Sequence, residues 1–311
     1  MSHARVPVQA SDVISDGRAE KTLLDLQSRP SLRGAANTLA TVMLAGAAVV
    51  VAIPLALLVW SVVARGAHIA FAQFPAFFTD EIPIVSRRAG PGMGPAIVGT
   101  VLVTGGATLI AVPLGVLGAT YTNEYGGKSH FARLVRFMAM VMTGVPSIVM
   151  GLFVYIVWTI QFGFSAFGGA LALACLMLPI VIGSTEQMLK LVPGELREAA
   201  YALGATQSRV TLSVVLPAAL PGIVSGALLA VARAAGETAP LLFAVGAATS
   251  YNPDLFRGAN TALPVQIFGN ATSVFVGAQE RAWGAALTLV GVTFLASLAA
   301  RLFTSRFAIK R

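Results

Sequence analysis

Residues 198–217 read Glu-Ala-Ala-Tyr-Ala-Leu-Gly-Ala-Thr-Gln-Ser-Arg-Val-Thr-Leu-Ser-Val-Val-Leu-Pro, a polar helix-turn-helix segment set between two long apolar stretches. Pro193 suits the first turn of a short helix, where its missing N–H costs nothing. Glu195 and Glu198 put negative charge near that helix's positive end, and Gly204 is expected to end it. Leu196, Ala199, Ala200 and Leu203 recur at helical spacing and leave a narrow stripe of small apolar side chains, suited to pressing one helix into a groove. On residue chemistry alone, an ordinary solvated helix-turn-helix between two apolar segments is the alternative.

Composition sets the frame around this segment. Apolar residues make up 56% of the 311, charged residues 11%, and mean hydropathy is +0.80, values that fit a polytopic membrane protein and not a soluble enzyme. No charged residue occurs in 34–64, 89–123, 137–185 or 282–300. The run over 137–185 would make a helix of roughly 70 Å, against a bilayer core of about 30 Å, so it must cross twice. Gln161-Phe-Gly-Phe-Ser165 is the natural reversal point. The expected fold is all-α with six transmembrane helices over about 36–63, 94–119, 137–160, 167–185, 214–246 and 283–303, filling a membrane domain at 36–303.

Orientation follows from the placement of Lys and Arg. With both termini inside, the inward segments carry 15 of the 21 basic residues, the outward ones five, and Arg233 lies within a span. That assignment makes 1–35 a cytoplasmic N-terminal tail, 186–213 a cytoplasmic loop holding the 198–217 motif, and 304–311 a cytoplasmic C-terminal tail. It also accounts for the net charge of +8 without nucleic acid, because the positive charge flanks spans. Residues 1–35 lack an apolar run of signal-peptide type.

Catalytic and metal chemistry find little support. Cys175 is single and sits within a span, and His3, His68 and His130 stand far apart. Met138, Met140, Met142 and Met150 read as span packing. A phosphate-cradling Gly-x-x-x-x-Gly-Lys-Ser/Thr loop is absent from the sequence. The chain is expected to be no enzyme, and any ATP driving it must be hydrolysed by another subunit.

The Glu198-Ala-Ala200, Gly204 and Leu216-Pro217 spacing resembles the cytoplasmic coupling loop of ABC-importer permeases, which implies ATPase docking through Glu198, Ala199, Ala200, Gly204, Leu216 and Pro217. Gly144-Val-Pro-Ser-Ile-Val-Met-Gly-Leu-Phe153, Tyr121-Thr-Asn-Glu-Tyr-Gly126, Leu263-Pro-Val-Gln-Ile-Phe268 and above all Ala232-Arg-Ala-Ala-Gly-Glu-Thr-Ala-Pro-Leu-Leu-Phe243 are similar to the A-type permease subunit of the bacterial phosphate-specific (Pst) importer. These matches run from about 121 to 268. Val214 departs from the isoleucine frequent in the class, and residues 1–90 carry nothing diagnostic.

The fifth span holds its own chemistry. Arg233 and Glu237 are i,i+4, and a lone charge at the bilayer centre costs about 3 kcal/mol on insertion scales. Counted from Pro217, they lie roughly 24 Å and 30 Å along a helix. Pro240 cannot donate to the carbonyl of Gly236, so a kink or unwinding is expected beside the pair, as at Pro146 in the third span. Freed carbonyls and Thr238 would then face a cavity. In the functional reading Arg233 attracts or gates an oxyanion and Glu237 holds Arg233 until the anion passes. An inter-helix salt bridge or snorkelling side chains are the structural alternatives. Gly105, Gly106, Gly115 and Gly118 around Pro113, with Pro146 and Pro179 interrupting spans three and four, predict close helix contacts and kinks.

The resemblance implies a permease of the bacterial plasma (inner) membrane that imports inorganic phosphate. Its implied partners are a second permease chain in a heterodimer, two ATPase subunits and an extracytoplasmic phosphate-binding protein. This chain would carry no cofactor, with ATP and Mg bound by the ATPase. The competing readings are a permease for another oxyanion such as sulfate or molybdate, an ion-coupled secondary transporter, and, last, a membrane-embedded enzyme.

Overall fold

Packing begins with a stripe of small side chains in the helix Gly94–Thr120. Gly99, Val103, Ala107, Ala111, Gly115 and Ala119 recur every fourth residue and are all buried, while Val101, Leu109 and Leu117 on other faces are exposed. An i,i+4 ridge of such small residues lets two backbones approach closely. A Cβ added at Gly115 would lie 2.6 Å from Val181 Cγ1 on the helix Ala166–Lys190. These two helices form the centre of the protein. Leu173, Met177 and Val181 of one meet Val103, Ala107 and Ala111 of the other, with Ala230, Ala234 and Leu241 completing the cluster.

The computed structural model describes residues 32–84, 92–127 and 129–307. Residues 1–31 of the expected N-terminal tail, Arg87, Arg88 and Lys128, and 308–311 of the expected C-terminal tail lie outside the described residues. In chain order the helices are α1 (Leu32–Ala72), α2 (Ala76–Thr79), α3 (Gly94–Thr120), α4 (His130–Gly144), α5 (Ser147–Val154), α6 (Ile160–Phe162) and α7 (Ala166–Lys190). They continue with α8 (Gly194–Ala202), α9 (Gln207–Val210), α10 (Leu216–Ala235), α11 (Ala239–Ala244), α12 (Leu263–Ala271) and α13 (Val276–Phe307). Wide π-type turns at Tyr121–Tyr125, Tyr155–Thr159 and Thr211–Val215 extend α3, join α5 to α6 and join α9 to α10. No strand occurs among the described residues. The chain divides into two units at Leu57 and Leu58. The first contains the apolar amino-terminal part of α1 with Pro54 inside it, and the second holds the helices from the end of α1 onward.

Among the described residues, five helical stretches are long and apolar enough to cross a membrane: 36–72, 94–125, 166–190, 207–235 and 276–298. The third span, expected over 137–160 with a kink at Pro146, consists of two helices, 130–144 and 147–162, bent by 109°. A sixth crossing exists only if that pair is counted as one. The bend falls at Val145-Pro146, where both residues are extended (ψ 129° and 138°), Val145 because proline disfavours α geometry in the residue before it. The run then reverses at Gly163 (φ +83°), and the Ser165 hydroxyl caps α7 by accepting from Gly168 N at 3.1 Å.

Helix limits elsewhere are as follows. Continuous helix covers 207–235 where the fifth span is expected over 214–246, and 276–298 where the sixth is expected over 283–303. Within the expected 186–213 loop, α7 runs on to Lys190 and α9 begins at Gln207. Proline breaks the chain less often than expected. α3 passes through Pro113 and α7 through Pro179 as continuous helices. Arg281, assigned to an outward loop, lies within α13 and is 2% exposed.

Candidate functional site

At the end of α8 the backbone makes a Schellman turn. Ala205 N–H donates to Ala200 O at 3.1 Å and Gly204 N–H to Tyr201 O at 2.9 Å, with Gly204 at φ +82°. Open space surrounds the Gly204 Cα, so its backbone conformation and not crowding calls for glycine. Pro193 stands at the N-cap, one place before the first helical turn, and Gly194 opens the helix. The expected apolar stripe divides. Leu196, Ala199 and Leu203 face outward, Leu203 at 90% exposure, and Ala200 packs inward against the buried cluster of Leu189, Val192, Val210 and Val215. Glu198 is exposed. Leu191 and Tyr201 are exposed as well.

Leu216 and Pro217 open α10 directly after the wide turn at 211–215. Pro217 has no N–H for the carbonyl four residues back, and the helix absorbs the missing bond by widening rather than breaking. Leu216 packs on the same cluster as Ala200, and Pro217 is exposed.

A further set of residues beneath α8 was not singled out from sequence. The Glu124 carboxylate accepts from Arg197 Nη2 at 3.0 Å and Nε at 3.4 Å, and from Asn123 Nδ2 at 2.7 Å. Arg197 also donates to Val192 O at 2.7 Å and Leu189 O at 2.9 Å. Gln207 Nε2 reaches the Glu124 carbonyl at 2.6 Å. Alongside, Glu186 accepts from Arg136 Nε at 3.1 Å and pairs with Lys190 at 2.9 Å, while Arg136 Nη2 donates to Thr122 O at 2.6 Å. Glu124 and Glu186 stand at the negative ends of α3 and α7, where a carboxylate is unfavourable unless a cation meets it. The signal in the sequence was the Tyr121–Gly126 segment, where Glu124 is the only charged residue.

The second set of residues surrounds a break in the fifth span. α10 ends at Ala235, Gly236 N–H donates to Arg233 O and Glu237 N–H to Ala234 O, and α11 starts at Ala239. Arg233 and Glu237 thus do not share one continuous helix face, because the helix ends between them. They remain paired, with Arg233 Nε 3.7 Å from Glu237 Oε1, beyond hydrogen-bond reach. The Arg233 side chain is 70% exposed and that of Glu237 23%. Thr238 is the N-cap residue of α11 and accepts at its carbonyl from Leu241 and Leu242 N–H. Pro240 lies in the first turn of α11.

Two half-helices meet here. α5 follows the break at Pro146 and α11 the break at 236–238, and they pack together where Gly151 faces Pro240. A groove of about 430 Å³ between α3, α10 and α13 is lined by Thr104, Thr108, Val231, Ala232 and Ala235, without Arg233. Among the described residues no group of His, Cys, Asp and Glu is placed to hold a metal ion.

Residues 111–309 match the family model described as binding-protein-dependent transport system inner membrane component. The phosphate transport system permease protein PstA 1 of Mycobacterium tuberculosis (strain CDC 1551 / Oshkosh) is 42% identical over 278 residues, 88% of this chain and 90% of the relative. The phosphate transport system permease proteins PstA of Yersinia pestis and Haemophilus influenzae are 44% and 41% identical, covering 74% and 73% of this chain and 78% and 79% of their own lengths. In fold, the chain is similar to a chain of an inward-facing MetNI methionine ABC transporter, with a TM-score of 0.55 and 20% identity over 69% of this chain and 94% of that one. The chain belongs to the family of binding-protein-dependent transport system inner membrane components, among the PstA permeases.

Proposed function

We infer that this chain is a transmembrane permease subunit of an ABC importer for inorganic phosphate, driven by a separate ATPase docked on the Glu198–Pro217 segment. The observation that carries this is 42% identity over 88% of the chain to a phosphate transport system permease. The exposed apolar surface of Leu191, Leu196, Tyr201 and Leu203 around an exposed Glu198 supports α8 as the docking element.

In this reading the partners are a second, different permease chain, two ATPase subunits that bind ATP and Mg, and an extracytoplasmic phosphate-binding protein. The bent pair 130–162 serves as the sixth crossing, which keeps both termini on the cytoplasmic side with the excess of Lys and Arg. Arg233, Glu237 and Thr238 border the pathway. Supporting that role, a guanidinium 70% exposed on its own chain near a membrane-embedded helix break is costly against lipid, and a water-filled path beside the second permease would hydrate it.

Reconstitution of the four kinds of subunit in vesicles tests the function. Phosphate should be taken up only with ATP, and sulfate and molybdate should compete weakly. Uptake without the ATPase would favour an ion-coupled carrier, and stronger competition by sulfate or molybdate would change the substrate.

A further inference from the structure

An exposed helix that receives force from an ATPase is useful only if something carries that force into the membrane bundle. Among the described residues every side-chain hydrogen bond leaving α8 comes from Arg197. Its guanidinium reaches the Glu124 carboxylate in the wide turn ending α3, and the Leu189 and Val192 carbonyls at the end of α7. Gln207, at the start of the helix leading into α10, holds the carbonyl of the same Glu124. Arg197 therefore ties α8 to the inner ends of α3 and α7, and Gln207 ties the α9–α10 helix to the backbone of the same Glu124.

The pair is also shielded, with side-chain exposures of 21% for Arg197 and 9% for Glu124. Exposed pairs contribute little, whereas removing one partner of a shielded pair strands the other charge. A planar guanidinium satisfying two carboxylate oxygens and two carbonyls resists rotation in a way that one apolar contact does not. The apolar alternative is slight, since α8 otherwise rests on the cluster through the small side chain of Ala200. π-type turns are often functional, and two of the three adjoin this joint, at 121–125 and 211–215.

We propose that Glu124 and Arg197 are positioning residues, forming the joint that passes displacement of α8 to the inner ends of α3 and α7. The proposal rests on α8 being the ATPase-docking helix. Two measurements on the complete reconstituted complex test it. The first compares phosphate transported per ATP hydrolysed in Glu124→Gln, Arg197→Lys and the parent. Glu124→Gln should retain the ATPase and its basal hydrolysis while transport per ATP falls about tenfold or more. Arg197→Lys keeps the charge without the fork, guards against a misfolded Gln variant, and should lose about threefold.

The second uses spin labels at Glu195 on α8 and Leu117 on α3 in a Cys175→Ser background. The parent should keep one narrow distance with and without nucleotide, and Glu124→Gln should broaden it when ATP binds. Transport per ATP within about twofold of the parent for both variants overturns the proposal. So does loss of ATPase copurification from Glu124→Gln, which would make the pair part of the docking surface. Equal distance changes in parent and variant overturn it as well. Failure of the parent complex to transport phosphate would instead refute the substrate assignment, and the label distances would still decide the joint.

Discussion

Gly151 of α5 lies so close to Pro240 of α11 that a Cβ built on it would sit 2.6 Å from the proline Cα. Backbone meets backbone where two broken helices begin. Each break has a proline beside it, Pro146 and Pro240, yet the contact joins residues 89 positions apart in the chain. Gly151→Val would push the half-helices apart, since the atoms a side chain would meet are the Pro240 backbone Cα, C and O, which cannot rotate away. Overpacking of this kind costs about 1–3 kcal/mol, so the purified variant should unfold at lower temperature in detergent. Gly151→Ala should show a smaller shift, and equal stability of Gly151→Val and the parent would contradict the packing described.

Gly204 makes a separate prediction about docking. Its φ of +82° costs a side-chain-bearing residue about 1–2 kcal/mol, and nothing else crowds the site. Gly204→Leu should therefore disturb the end of α8 without expelling the protein from the membrane. ATPase copurification and phosphate-dependent ATP hydrolysis should both fall, and Gly204→Asn should restore part of each because asparagine tolerates the left-handed region. Undiminished coupling in Gly204→Leu would remove α8 from the docking role.

The break between α10 and α11 separates transport from packing. A charge-assisted hydrogen bond to an anion contributes about 1.5–3 kcal/mol, so Arg233→Gln should slow phosphate uptake roughly 10- to 150-fold while the complex assembles. Glu237→Gln should lose uptake or its coupling to ATP. The swap Arg233→Glu with Glu237→Arg is the sharper test, because a purely structural pair tolerates exchange better than a site aimed at an anion. Normal uptake by the swapped protein would make the pair structural.

Topology has its own experiment. The segment 250–262 is ordered by Asn252 Nδ2 donating to Arg257 O and Ala259 O, and by Tyr251 Oη donating to Thr79 O at 2.6 Å. Ser250 and Ala259 are exposed on it. In a Cys175→Ser background, cysteine at either position should react with an impermeant thiol reagent from outside intact cells. Labelling from the cytoplasmic side alone would overturn the orientation.

The sequence by itself determined the features whose cause lies within a few neighbouring residues. Charge-free runs matched to bilayer thickness located the membrane helices, because transfer of apolar side chains depends on composition and length. Gly204 announced a helix end, and Pro240 a weakness beside Arg233, because proline and glycine act on their own backbone. The small-residue spacing of α3 was also present, although its partner could not be read from it.

Tertiary structure decided what depends on residues distant in the chain. Pro113 and Pro179 leave their helices continuous while Pro146 accompanies a 109° bend. The chemistry of proline is the same at all three, and the packing of the surrounding helices sets the outcome. Glu124 and Arg197, 73 positions apart, meet only because α3 and α7 lie side by side and end together. Neither residue's own neighbourhood names the other. Periodicity describes one helix face at a time, and an ion pair between helices comes into being only once those faces have packed.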